Sequence, residues 1–291
     1  LSGLVGSEMC IRDRTSFACC NNSQGGLTME TQVHGKSVFF STGGAKFNNA
    51  ERTIIFIHGA GMDRTVWSMQ ARFFAHHGFT VVNLDLPGHG KSEGPACATI
   101  EEYSDWLCEL IDCLDLHRVS IVGHSMGSLV ALCSGAKLEK KIQKIALLGT
   151  LPKIQVHPDL LTSAMNNKHG AFETIVGWGV GRKAQIGGHK APGSWIAGAS
   201  MRLLEASKPG VLGNDLNACN VWEGGLESAG QIKCPVLLLL GEDDRMTPPK
   251  GTKELTKALH NSETIILHGA GHMMMTEQPD QTIEILSDFF E

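Results

Sequence analysis

Gly123-His124-Ser125-Met126-Gly127 is the stretch of sequence that decides the fold. It follows a short apolar run at residues 119–122 and precedes a stretch of helical spacing at 126–136. A serine flanked by glycines at such a junction is typical of a tight strand-to-helix turn, in which small residues let the chain pass closely. The turn presents the hydroxyl at a helix N-terminus, whose free N–H groups favour a developing negative charge. We therefore predict that Ser125 is a nucleophile.

Outward from this turn, apolar runs alternate with stretches of helical spacing. The alternation predicts strands at 53–57, 80–84, 119–122, 145–148, 235–240 and 264–267, helices at 66–75, 100–114, 126–136 and 283–290, and a first hairpin of 28–34 with 36–41. Strands that are apolar throughout and alternate with helices indicate a parallel sheet covered on both faces, which is an α/β fold. Ligands of such sheets bind at the edge where the carboxyl ends of the strands meet.

Two segments depart from the alternation. Residues 151–231 contain three tryptophans and many glycines, and we predict that they form a mainly helical cap over the strand edge. The α/β core is then formed by 27–150 and 232–291. Residues 1–26 have no cleavable apolar core and no clear period, so we predict a non-native or disordered extension there.

A serine hydroxyl needs a general base, and the base needs an acid. His272 lies on a glycine-containing loop beyond the strand 264–267, whereas its rival His268 lies at the strand end itself. Asp244 lies deeper in the loop after the strand 235–240 than Asp243 does. We predict that His272 is the base and Asp244 the acid, which gives the chain order serine, aspartate, histidine.

The remaining site residues are predicted from the loops that follow the strands. The oxyanion hole should pair the N–H of Met126 with that of Ala60, with Gly61 as second choice, because glycines in the loop 58–61 let the backbone approach a substrate oxygen. Segment 85–90 with Ser92 is expected to form a structural turn. The expected substrate contacts are Gly59, His124 and Trp178.

Composition limits the function classes. Apolar residues make up 42% of the chain, charged residues 19%, and the net charge is −5, with lysines and arginines scattered. This argues against a nucleic-acid-binding surface, and the longest apolar run, 236–240, is too short to span a bilayer. Nine cysteines without metal-ligand spacing favour a reducing, cytoplasmic compartment. No metal, phosphate-loop or dinucleotide motif is found, so we expect a small-molecule substrate and no cofactor.

Together these segments resemble the α/β-hydrolase superfamily. The matching pieces are HGAG at 58–61, DLPGHGKS at 85–92, GHSMGS at 123–128, GEDDRMTPP at 241–249 and GAGHMMMTEQPD at 269–280. The resemblance implies an eight-stranded, mostly parallel sheet with helices on both faces and a helical cap inserted after the sixth strand. It implies a cofactor-free serine hydrolase of the capped group, and Ser125 argues against members that carry an aspartate nucleophile.

The function expected from the sequence is acyl transfer through a Ser-His-Asp triad, on a small or medium ester, lactone or related carbonyl compound. Two alternative activities stay open, namely hydrolysis of carbon–carbon bonds in ring-cleavage products and a cofactor-free perhydrolase or haloperoxidase reaction. A third alternative is a ligand receptor of slow turnover on the same fold.

Overall fold

The computed structural model describes residues 28–49, 51–188 and 193–291. The predicted N-terminal extension, 1–26, lies outside these residues. The strands are β1 (Thr28–Val33), β2 (Lys36–Ser41), β3 (Thr53–Ile57), β4 (Thr80–Leu84), β5 (Val119–His124), β6 (Ile142–Leu148), β7 (Val236–Gly241) and β8 (Ser262–Leu267). They form one sheet in the order β1-β2-β4-β3-β5-β6-β7-β8.

The sheet is mostly parallel, as predicted. β1 and β2 form an antiparallel hairpin, β2 pairs antiparallel with β4, and all other neighbours are parallel. The helices are α1 (Ser68–Ala75), α2 (Ile100–Cys113), α3 (Met126–Lys137), α4 (Pro158–Met165), α5 (Gly170–Gly179), α6 (Arg182–Gln185), α7 (Ile196–Glu205), α8 (Val211–Val221), α9 (Gly225–Gln231), α10 (Lys253–Ala258), α11 (Met274–Glu277) and α12 (Pro279–Phe290).

Apolar side chains of the central strands fill a core on each face of the sheet. In β3, Ile55 and Ile57 belong to the core cluster that includes α2 and α3. Ile54 and Phe56 belong to the opposite cluster, which includes α1 and α12. Successive residues of a strand point to opposite faces, so a strand buried on both faces must be apolar throughout.

Two helix starts show which local signals were sufficient. At the N-cap of α2 the Thr99 hydroxyl accepts the N–H of Glu102, and the Glu102 carboxylate accepts the N–H of Ala98. The predicted start of the last helix at 283 is wrong. That helix begins at Pro279, because proline has no N–H to lose in the first turn and its fixed φ suits it.

The segment between β6 and β7, residues 149–235, is called the insertion here. Its described residues, 149–188 and 193–235, include the helices α4 to α9. Its last part packs into the body of the protein, since Ala218 and Trp222, together with Ala229 on α9, join the core cluster that contains α3. The division of the chain at 151 and 231 therefore stays a prediction. Within the described ranges, no helix combines the length and apolarity needed to cross a bilayer.

Candidate active site

Ser125 occupies the turn between β5 and α3 in a strained backbone conformation. Its φ is 52° and its ψ is −118°, values that a residue with a side chain rarely adopts. Such conformations cost about 1–3 kcal/mol and persist where the surrounding structure enforces them. The side chain is half-buried at the carboxyl edge of the sheet. The strain is the first indication of function at this position.

The glycines on either side of Ser125 make the turn possible. A Cβ atom on Gly127 would lie 2.6 Å from the carbonyl oxygens of Ile57 and His58, and one on Gly123 would overlap the carbonyl oxygen of Gly127. Only glycine fits at both positions, since real Cβ atoms do not approach backbone oxygens so closely. This is the steric reason that the sequence analysis gave for the motif.

His272 and Asp244 form a buried pair. The Nδ1 atom of His272 lies 2.7 Å from Oδ2 of Asp244. The other carboxylate oxygen, Oδ1, accepts the backbone N–H groups of Met246 at 2.8 Å and of Thr247 at 2.9 Å, and the Thr247 hydroxyl donates to Oδ2 at 2.7 Å. Burial raises the pKa of Asp244, but the neighbouring charge of His272 and the donated hydrogen bonds outweigh it and lower that pKa to about 2.

The rival residues lie in different surroundings. His268 is exposed, and its Nδ1 atom lies 3.3 Å from Oε1 of Glu242, which is also exposed. Asp243 is half-buried and does not contact His272 through any hydrogen bond in the described residues. The structure thus brings Asp244 and His272 together and leaves His268 and Asp243 outside the pair.

Ser125 and His272 each lie against the end of β6. The N–H of Ser125 donates to the Leu148 carbonyl at 2.9 Å. The next residue, Gly149, lies against the His272 ring, because a Cβ atom built there would lie 2.9 Å from both Nδ1 and Cε1. Within the described residues, the Ser125 hydroxyl and the His272 Nε2 atom form no hydrogen bond. In enzymes without substrate, the hydrogen bond between base and nucleophile is often long and tightens only on binding.

His124 is fully buried behind His272. Its Nε2–H donates to the His272 carbonyl oxygen at 2.9 Å, and the two ring centroids are 4.6 Å apart. Burial, followed by the charge of His272, lowers the pKa of His124 well below its ordinary value, so the ring is neutral. The sequence predicts a substrate contact at this position. The geometry instead gives His124 the position of a support for the His272 backbone.

The predicted oxyanion donors differ in availability. The Gly61 N–H, the second choice, already donates to Oδ2 of Asp215 at 2.8 Å. In the described part of the chain, the N–H groups of Ala60 and Met126 have no protein acceptor. Met126 follows Ser125 in the chain, and Gly59, the residue before Ala60, lies against the serine, since a Cβ atom there would be 3.2 Å from the Ser125 Cβ. Ala60 and Met126 therefore keep free donors next to the serine.

Trp178 lies on α5 and is 38% exposed. Its ring contacts His157 edge to face, with centroids 6.0 Å apart. Helix α5 contacts the site through Gly179, the residue after Trp178, because the Gly179 carbonyl accepts the His272 N–H at 2.6 Å. A small cavity of about 130 Å³ opens beside Met273, the residue after His272, between α7 and the turn before α1. Its lining is Thr65, Val66, Ile196, Ala199, Ser200, Leu203, Met273 and Thr276.

Two buried carboxylates near the site were not identified from the sequence. Glu277 accepts the N–H groups of Gly271 and Met273, which flank His272, and that of Gly181 in the insertion. Asp215 lies on α8 and accepts the N–H of Gly61 in the loop 58–61, which is called the oxyanion loop after its predicted role. The sequence does carry a signal for the burial of Asp215. This carboxylate lies at i+3 on the apolar stripe that Leu212 and Leu216 form at i and i+4 of the helix. Among the described residues, no three histidine, cysteine, aspartate or glutamate side chains form a metal-binding group.

Comparison with known proteins adds a family and several relatives. Residues 54–285 match the model of a family described as the Alpha/beta hydrolase family. An (E)-2-((N-methylformamido)methylene)succinate hydrolase of Acinetobacter baylyi is 25% identical over 245 residues, covering 82% of this chain and 90% of that protein. A pimeloyl-(acyl-carrier protein) methyl ester esterase of Neisseria meningitidis is 26% identical over 250 residues, covering 84% of this chain and 78% of the esterase.

Solved structures show the same architecture. The enol-lactonase from Burkholderia xenovorans superposes with a TM-score of 0.79 at 21% identity, covering 90% of this chain and 99% of that one. A thermophilic esterase superposes with a TM-score of 0.73 at 25% identity, covering 90% and 96% of the two chains. The names of these four proteins describe hydrolytic reactions on different substrates.

Proposed function

Because its match to the Alpha/beta hydrolase family spans residues 54–285, the chain belongs to that family, and we propose that it is a serine hydrolase acting by acyl transfer. Ser125 is the nucleophile, His272 the general base and Asp244 the acid that orients it. The single observation that carries the proposal is the buried Asp244–His272 pair at 2.7 Å, at the strand ends where Ser125 holds its strained φ of 52°.

The first half of the reaction forms an acyl enzyme. His272 Nε2 takes the proton of the Ser125 hydroxyl as Oγ attacks the carbonyl carbon, and the carbonyl π electrons move to oxygen. The resulting oxyanion accepts hydrogen bonds from the N–H groups of Ala60 and Met126. The intermediate then collapses, the bond to the leaving oxygen breaks, and that oxygen receives the proton from His272.

The second half repeats the steps with water. His272 takes a proton from water, the hydroxide oxygen attacks the acyl carbon, and the Ser125 oxygen leaves with the proton that His272 returns. Asp244 stays ionised throughout, which is consistent with its pKa of about 2. Its role is to hold the imidazole with Nδ1–H toward the carboxylate, so that Nε2 is free to accept a proton.

The proposed substrate is a small or medium ester or lactone with an apolar portion. We assign the acyl portion to the cavity of about 130 Å³ beside Met273, the residue after His272, whose lining is largely apolar with a few hydroxyl groups. An esterase and a lactonase among the similar proteins support the reaction type. Leu203→Trp, which narrows the cavity, should shift the preferred acyl chain of p-nitrophenyl esters toward acetate.

The experiment that tests the function is hydrolysis of p-nitrophenyl esters from acetate to decanoate by the parent chain and by Ser125→Ala. His272→Ala is compared with His268→Ala, which removes the exposed histidine four residues earlier. We expect repeated turnover by the parent and by His268→Ala, and a loss of at least about 10³-fold in kcat for the other two. A fluorophosphonate should label Ser125 in the parent.

Two results would overturn the proposal. If the parent hydrolyses no ester and the fluorophosphonate leaves Ser125 unlabelled, the chain does not act as a serine hydrolase. If the parent completes at most a few cycles while the ligand raises its thermal unfolding midpoint, a receptor role replaces the enzymatic one.

A further inference from the structure

A buried polar network joins the insertion to the oxyanion loop. Its centre is Asp215 on α8, whose side chain is completely buried. Its partners come from three other parts of the chain: Gly61 in the oxyanion loop, His89 in the loop after β4, and Tyr103 on α2. A carboxylate in such a position is costly to bury unless every lone pair is used.

Both oxygens of Asp215 are bound. Oδ2 accepts the Gly61 N–H at 2.8 Å and lies 2.7 Å from His89 Nε2, and Oδ1 accepts the Tyr103 hydroxyl at 2.8 Å. The second nitrogen of His89, Nδ1, lies 3.0 Å from the Pro87 carbonyl oxygen. Because both ring nitrogens face acceptors, both carry protons and His89 is a cation. The network therefore contains a buried ion pair.

Gly61 is the point where the insertion touches the oxyanion loop. Its φ is +65°, and a Cβ atom there would lie 2.9 Å from the Leu212 side chain and 3.4 Å from that of Leu204. The amide held by Asp215 is the one directly after Ala60, so this hydrogen bond fixes the peptide plane next to the proposed donor. A shift of that plane would turn the Ala60 N–H away from the position of the oxyanion.

We propose that Asp215 is a positioning residue, which holds the oxyanion loop in its active conformation and makes that conformation depend on the docking of α8. Asp215 does not contact substrate, since its side chain is completely buried and its oxygens are occupied. The inference rests on the proposed function, because an oxyanion donor has meaning only for acyl transfer. It predicts that loss of the Gly61 contact lowers catalysis more than substrate binding.

The test uses three variants of the full chain. Asp215→Leu/His89→Leu removes the acceptor of the Gly61 N–H together with the cation that would otherwise be buried without a partner, a replacement that buried ion pairs often tolerate. Asp215→Asn keeps a carbonyl oxygen for Gly61. Tyr103→Phe is the matched control, because it removes a hydrogen bond to the same carboxylate at Oδ1 and leaves the Gly61 contact at Oδ2.

We expect the double variant to lose about 10- to 100-fold in kcat with KM changed less than about threefold, approaching the loss seen when one oxyanion donor is removed. Asp215→Asn and Tyr103→Phe should keep kcat within about threefold of the parent. The inhibition constant of a trifluoromethyl ketone, whose adduct resembles the tetrahedral intermediate, should rise in parallel with the loss in kcat/KM. Fluorophosphonate titration counts folded active sites, so partial unfolding does not enter kcat.

The outcomes separate the two proposals. A parent that is active while the double variant retains parental kcat, or while Tyr103→Phe or Asp215→Asn loses as much as the double variant, refutes the role of Asp215 and leaves the hydrolase function standing. An inactive parent refutes the function itself. If the double variant does not fold, Asp215→Ala is assayed in its place under the same criteria.

Discussion

Asp244→Asn is the change whose result the structure determines in most detail. The Oδ1 atom of Asp244 accepts two backbone N–H groups, those of Met246 and Thr247. An asparagine must therefore keep its carbonyl oxygen at that position and turn its NH₂ group toward His272 Nδ1. The imidazole then carries its proton on Nε2, which faces the substrate side, and cannot accept the proton of Ser125.

The expected loss follows from this tautomer. In a comparable triad the same exchange lowers kcat about 10⁴-fold, which corresponds to about 5 kcal/mol of transition-state stabilisation. Stability should respond in a separate way. The pKa of Asp244 falls from about 3.9 in the unfolded chain to about 2 in the fold, so the ionised carboxylate contributes about 2–3 kcal/mol above pH 4. That contribution is lost as the pH falls through about 2, and the asparagine variant should lack it.

The assay is p-nitrophenyl acetate hydrolysis at pH 7, with urea unfolding of the same samples between pH 7 and pH 2. Asp243→Asn is the control, because this neighbouring carboxylate is half-buried and lies outside the pair. The control should behave like the parent. The reasoning is refuted if Asp244→Asn keeps kcat within tenfold of the parent, or if Asp243→Asn loses as much activity as Asp244→Asn.

Contacts of Gly149, Glu277 and the His89–Asp215 pair each determine a measurable property of the protein. Gly149→Ala should lower kcat by up to about 100-fold with little change in KM, because its Cβ would lie 2.9 Å from the His272 ring at a φ of +57°. Ester hydrolysis kinetics test this prediction, and a variant with the parental kcat would contradict it. Glu277→Leu should lower the thermal unfolding midpoint far more than Glu277→Gln, because leucine leaves three buried N–H donors unpaired at about 1–3 kcal/mol each. Equal midpoints of the two variants by circular dichroism would refute the role of the carboxylate. Burial lowers the pKa of His89, but the Asp215 carboxylate outweighs this effect and raises that pKa. Burial raises the pKa of Asp215, but His89 outweighs this effect and lowers that pKa. The pair therefore stabilises the fold fully between about pH 4 and pH 6.5. Its contribution should fall on the acid side as Asp215 protonates and on the alkaline side as His89 loses its proton, and urea unfolding of the parent and of His89→Leu/Asp215→Leu across pH measures it.

The sequence was sufficient for features that local spacing encodes. β3 and β4 have the predicted bounds, and the predicted hairpin of β1 and β2 differs by one residue. Such segments are predictable because an apolar run bounded by turn residues has few other ways to bury its side chains. β6 begins at Ile142, three residues before its predicted start. The prediction missed these residues because Gln143, which is exposed, and Lys144, which is half-buried, interrupt the apolar run.

Contacts between distant parts of the chain cannot be predicted from local residue spacing. His89 and Asp215 lie 126 residues apart, so no spacing rule connects them. The sequence predicts only a structural turn at 85–90, and it indicates neither the burial of His89 nor its raised pKa. A partner that the topology supplies can reverse the effect of burial on a titratable group, and that partner is known only once the fold is known.

The attachment of the insertion has a consequence for how such enzymes diversify. β6 and β7 are neighbours in the sheet, with Ile145 opposite Val236 and Leu148 opposite Leu239. Because the two strands are parallel, the chain leaves the sheet after Leu148 and re-enters it at Val236, about 11 Å away along and across the strands. Once the insert spans this distance, further length adds only a small entropic penalty. At this junction, recombination can exchange the inserted segment without changing the chain order of Ser125, Asp244 and His272. The exchangeable part ends before α8, however, because a graft that discards Asp215 would also discard the acceptor of the Gly61 N–H.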